Sequence, residues 1–123
     1  MPELAEKLDF SVTPEKLETL IRRIVAAIDP EEVIVFGSRA QGRQRPESDL
    51  DIAIIADFED RKLPPNLRAD IPMLADILLI SRSRFDEFRP WINTIEREID
   101  RKGIRVYERG EESIHHDTLA SLC

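Results

Sequence analysis

Two short apolar runs, Val33–Phe36 and Leu50–Ile55, flank a polar stretch that opens on Gly37-Ser38 and closes on Ser48-Asp49. Apolar, β-branched runs of this length bounded by glycine and polar residues read as buried strands. The first strand must end in a glycine turn, and the second must begin among acids. Because strand side chains alternate, Asp49 and Asp51 are expected on one face, about 7 Å apart, with Leu50 and Ile52 on the other. Two carboxylates at that spacing repel by about 0.6 kcal/mol in water and by about 2 kcal/mol at the effective dielectric of a partly buried site. A cation would offset this, and Mg²⁺ is commonly held by one or two carboxylates together with substrate phosphates. The pattern points to metal-assisted chemistry on a nucleotide.

The flanking sequence supplies the rest of a small domain. Thr13 is a good N-cap, Pro14 suits the first helical position, and Leu17, Leu20, Ile21, Ile24, Val25 and Ile28 fall on one stripe, so an amphipathic helix is expected up to Asp29-Pro30. A short helix is expected around 38–42, then a polar loop over 43–48. The connection from Asp57 to Met73 holds Pro64, Pro65 and Pro72, which argue against one regular helix, and a loop of that length is expected to edge the site. A third strand, Leu74–Ile80, is interrupted only by Asp76. An unpaired ionised carboxylate buried in such a run costs several kcal/mol, so Asp76 calls for a metal or for a partner such as Arg39 or Arg68. After a turn at Ser81–Arg84, a helix is expected from Pro90 to about Lys102, with Ile92, Ile95 and Ile99 buried and Gly103 as its cap. Ile104–Glu108 reads as a last, edge strand.

Composition narrows the function. A chain of 123 residues suits one core, and 41% hydrophobic with 35% charged residues is ordinary for a globular domain. No apolar run approaches a membrane span, and no apolar leader is visible at the N-terminus. The single cysteine, Cys123, leaves no disulfide framework, which fits a reducing cytoplasm. A net charge of −7 argues against bulk nucleic-acid binding, whose affinity comes mostly from cations neutralising phosphates. Ser48 reads as a loop cap, His115-His116 as a solvated pair, and Trp91 and Tyr107 as packing residues.

The string Gly37-Ser38-Arg39-Ala40-Gln41-Gly42 followed by Ser48-Asp49-Leu50-Asp51-Ile52 resembles the signature of the nucleotidyltransferase superfamily that includes DNA polymerase beta. Within it, the string resembles the minimal nucleotidyltransferases, including antitoxins paired with HEPN toxins. The resemblance spans Thr13 to Glu108. It implies an α/β fold, a mixed sheet of about four strands flanked by helices, with a domain expected over residues 1–108. Residues 109–123 mix charge, two histidines and a few apolar residues, and are expected to form a C-terminal tail, disordered or ordered on a partner.

The resemblance also implies roles. Gly37 and Ser38 would contact the terminal phosphates of ATP, with Arg39 placed for a charge-assisted contact to them. Asp49 and Asp51 would hold two Mg²⁺ ions, Mn²⁺ being the alternative, and Asp76 would complete the metal site and help deprotonate the acceptor. The reaction implied is AMP transfer to a tyrosine of a HEPN toxin, in a cytoplasmic hetero-oligomer. Relatives acting on small molecules or nucleic acids generally carry a further domain for the acceptor, so another chain or self-association is expected to hold it here. Two alternatives remain open: an antitoxin that neutralises its partner by occlusion alone, and transfer to a small molecule or RNA.

Overall fold

The computed structural model describes residues 11–37, 40, 42, 50–57, 67, 71, 73, 75–110 and 116–122. Thr13 caps as expected: its Oγ1 accepts a hydrogen bond from the Lys16 amide at 3.2 Å. Helix α1 (Pro14–Ile28) follows, with Leu17, Leu20, Ile21, Ile24 and Ile28 buried, and Asp29 ends it in the left-handed conformation. Strands β1 (Glu32–Phe36), β2 (Leu50–Ala56) and β3 (Ala75–Ser81) come next, then helices α2 (Arg82–Phe88) and α3 (Ile95–Lys102), strand β4 (Ile104–Glu108) and helix α4 (His116–Leu122).

The strands form one sheet in the order β3-β2-β1-β4. β2 and β3 are parallel, and the other two pairings are antiparallel. The fold is the expected mixed four-stranded sheet flanked by helices.

Strand alternation sorts the core into two layers. Val33, Val35, Leu50, Ile52 and Ile54 pack with α1 and with Leu119 and Leu122 of α4. On the other face, Ile34, Ala53, Ile55 and Ile80 pack with Phe85 of α2 and Ile99 of α3. Central β2, covered on both faces, is buried at every position except Asp51.

Three expectations are corrected. The tail over 109–123 contains α4, whose Leu119 and Leu122 are each 1% exposed. Spaced three apart, they share a helix face, and burying each contributes about 1.5–3 kcal/mol. Ser81–Arg84 is not a plain turn: Ser81 caps α2, its Oγ accepting from the Arg84 amide at 3.2 Å.

The third correction concerns the helix expected from Pro90, which starts only at Ile95. Asn93 is left-handed (φ 67°), and Thr94 is the cap, accepting from the Arg97 amide at 3.1 Å. Trp91 and Ile92 therefore lie in a turn, 63% and 72% exposed, and Ile95 is 40% exposed. Only Ile99 of the expected stripe is buried, beside an unexpected Glu96 that pairs with Arg84 at 3.1 Å. Tyr107 does pack against the larger core.

Gly103 ends α3 with φ −75°, so no left-handed turn requires it. It is needed for closeness: a Cβ there would lie 2.5 Å from Ile34 Cγ2 and 2.4 Å from the Ile99 carbonyl oxygen. Within the Asp57–Met73 connection, Leu67, Ile71 and Met73 reach the larger core, and most of the remainder lies outside the described residues. The same holds for the short helix expected around 38–42. Among the described residues no helix is long and apolar enough to cross a membrane.

Candidate active site

Strand register assembles the site. Phe36, the last residue of β1, pairs with Asp51 of β2. Asp51 in turn pairs with Asp76 of β3. Neighbouring strands lie about 4.8 Å apart and residues paired across a ladder project to the same face. Asp51 and Asp76 therefore stand side by side, on the face that also carries Phe36 and the smaller core cluster. The buried part of that cluster fills the middle of the face. At this end Phe36 and Asp51 are half-buried and Asp76 is exposed.

The turn after β1 bears directly on Asp51. Gly37 has φ 79°, a conformation that side chains rarely adopt. A Cβ built there would also meet Asp51 Oδ2 at 2.4 Å and Asp51 Cγ at 3.3 Å. Gly37 is thus required twice, once for its backbone angle and once because the carboxylate of Asp51 lies where a methyl would be. Sequence reasoning found the glycine and missed this contact, since strand register, which creates it, is not written in either segment alone.

Of the residues expected in the site, the structure brings Gly37, Asp51 and Asp76 together. Ser38, Arg39 and Asp49 lie outside the described residues, as does Arg68. The premise behind Asp76 is corrected: it is not buried, because β3 is the sheet's edge strand and this end of the face is open among the described residues. No described residue forms an ion pair with Asp76. Its adjacency to Asp51, rather than any burial cost, is what marks it.

Two adjacent carboxylates offer hard oxygen donors of the kind that bind Mg²⁺ with substrate phosphates. Among the described residues no group of three His, Cys, Asp or Glu forms. Asp49, the remaining expected ligand, lies outside them. The donor set present fits a divalent cation.

Residues 16–112 match the family model described as polymerase beta, nucleotidyltransferase. The chain belongs to this family. The fold agrees with a crystal structure from Sulfolobus solfataricus named as a candidate nucleotidyltransferase, at a TM-score of 0.55 and 16% identity over 84% of this chain and 86% of that one. A structure of a toxin–antitoxin with AMP-PNP is similar at a TM-score of 0.47 and 18% identity, over 87% and 80% of the two chains. Among curated proteins none matches the chain. In this nucleotidyltransferase domain, then, the paired aspartates and the glycine turn occupy one end of one sheet face.

Proposed function

We propose that this chain transfers AMP from ATP to a tyrosine hydroxyl of a partner HEPN-family toxin and thereby acts as its antitoxin. The reading is carried by the placement of Asp51 and Asp76 side by side at the Gly37 turn. The likeness of residues 37–51 to minimal nucleotidyltransferases supports AMP as the group moved and a toxin as its acceptor.

In this reaction the acceptor oxygen bonds to the α-phosphorus of ATP. The bond from that phosphorus to the bridging oxygen breaks, and pyrophosphate leaves with the electron pair. Asp76, exposed at the edge of the sheet, takes up the acceptor's proton. The backbone N–H groups at Gly37 and Ser38 bind terminal phosphate oxygens, and Arg39 adds a charge-assisted contact. Asp49, Asp51 and Asp76 would hold Mg²⁺, which when bound activates the attacking oxygen and offsets charge on the leaving pyrophosphate. Gly37, by leaving room for the Asp51 carboxylate, fixes where that charge sits relative to the phosphate turn.

The experiment combines purified chain, ATP, Mg²⁺ and the toxin encoded beside it, followed by intact-mass measurement of the toxin. The expected result is a toxin carrying one or more AMP units and inactive as a result. An unchanged toxin mass refutes the reading. Should the Asp51→Asn variant neutralise the toxin as well as the parent does, occlusion rather than transfer is the mechanism. Turnover without any partner chain would point to a small-molecule or RNA acceptor instead.

A further inference from the structure

A groove of about 640 Å³ runs along α3, lined by residues including Ile95, Arg97, Glu98, Arg101 and Lys102. It begins at Asn93, Thr94 and Ile95, directly after the turn bearing Trp91 and Ile92. Those two and Ile95 are three of the four large hydrophobic side chains exposed among the described residues. Its other end is basic.

The basic end is unusual in its bonding. The chain has 25 acidic residues against 18 lysines and arginines, so a cation should readily find a carboxylate. Arg22, Arg82, Arg84, Arg89, Arg105 and Arg109 each do so. Arg97 donates to the Pro90 carbonyl at 2.8 Å. Arg101 and Lys102 are exposed and have no such partner among the described residues. Two exposed cations in the last turn of α3, without a carboxylate partner among the described residues, and three exposed apolar side chains at and before its start complement an acidic and apolar ligand.

α3 covers the sheet face that bears Asp51 and Asp76. From Lys102 the chain passes through Gly103 to Ile104, which pairs with Val35, one residue from Phe36 and two from Gly37. α3 thus lies over the same sheet face as the acids, with Asp100 of its last turn held by Arg89 and Arg105.

We propose that the groove along α3, together with the exposed turn that precedes it, is the docking surface for the acceptor protein, occupied by an acidic amphipathic helix of that partner. Its apolar stripe lies on Trp91, Ile92 and Ile95, and its carboxylates meet Arg101 and Lys102. This rests on the reading above that the acceptor is a protein.

The test measures toxin binding by calorimetry and AMP transfer by mass, using the full chain and the toxin encoded beside it. The double variant Arg101→Glu, Lys102→Glu should weaken binding and raise KM for the toxin about tenfold or more, leaving kcat at saturating toxin and the affinity for ATP unchanged. Trp91→Ala with Ile92→Ser should weaken binding by a similar factor of about ten. All four side chains are exposed, so melting temperatures should stay close to the parent's. Parental binding and KM in both double variants overturn the docking surface while leaving the transfer reading intact. Failure of the parent itself to bind or modify the toxin removes the transfer reading, and the proposed occupant of the groove with it. If the charge swap abolishes binding of a short single-stranded RNA but spares toxin binding, the groove is a nucleic-acid surface and the proposal is wrong.

Discussion

The face of the sheet under α2 and α3 carries carboxylates at both ends, and their surroundings differ. At one end Glu32 accepts hydrogen bonds from Arg82 Nη2 at 2.6 Å and from Arg105 Nε. Arg82 also reaches Glu31 at 3.0 Å, and Arg89 and Arg105 hold Asp100 at 2.7 and 3.3 Å. At the other end Asp51 lies against Gly37 and beside Asp76, with the buried layer of Ile34, Ala53, Ile55 and Ile80 in between. The first helical residue of α2 and the second residue of β4 bring arginines to one end. A glycine turn and an edge strand flank the other. The same side-chain type thus serves folding at the end where Arg82 and Arg105 close on it, and at the other end stands as an adjacent pair beside the Gly37 turn.

Asp51 is where this contrast is most easily broken. Asp51→Asn and Asp76→Asn should each lower nucleotidyl transfer by about a thousandfold or more, because each removes charge from the proposed metal site. Neither should change urea-unfolding stability by more than about 0.5–1 kcal/mol, since Asp51 is half-buried, Asp76 is exposed and the replacement is nearly isosteric. Retained transfer in both would make this end an ordinary polar sheet edge. Calorimetric titration with Mn²⁺ should show the same loss without any turnover.

Gly37→Ala is expected to act more mildly and through geometry. The added methyl must displace the Asp51 carboxylate, and displacements of about 1 Å at a reacting centre cost on the order of a hundredfold in rate. The positive φ adds a stability loss of about 1–2 kcal/mol. Steady-state kinetics on folded protein separate the two effects. A rate equal to the parent's would mean that the position of Asp51 does not matter.

How much of this was legible in the sequence follows from which interactions are local. α1 was readable because Thr13, Pro14 and the Leu17–Ile28 stripe specify it within one segment. The four strands were readable as apolar runs of strand length. Gly37 and Asp51 could be picked out, but their contact depends on Phe36 pairing with Asp51, a register set between segments. α4 was missed because Leu119 and Leu122 acquire meaning only against α1. The Pro90 helix was misjudged because Ile92 keeps helical spacing with Ile95 and Ile99, while Asn93 and Thr94 restart the chain between them. Glu32 carries no signal of its own in the sequence, because the groups that define its role, Arg82 and Arg105, lie 50 or more residues away.

The smallest expected effect is the one that tests the folding end. Burial alone would raise the carboxyl of Glu32, but hydrogen bonds from Arg82 and Arg105 outweigh it and hold the group below its ordinary value of 4.5. A carboxylate with a depressed folded pKa contributes stability that is fully present above about 4.5 and is lost as pH falls through the lower folded value. Glu32→Gln should therefore cost about 2 kcal/mol near neutral pH, by leaving two partly buried guanidinium groups short of an acceptor. The gap to the parent should narrow as the pH is taken below about 4.5, which urea unfolding at a series of pH values measures. Transfer per folded molecule should be unchanged, because the substitution lies at the opposite end of the sheet face from Asp51 and Asp76. A rate that falls with Glu32→Gln while the fold is intact would mean that the two ends act as one unit, and the division between a folding end and a catalytic end would have to be abandoned.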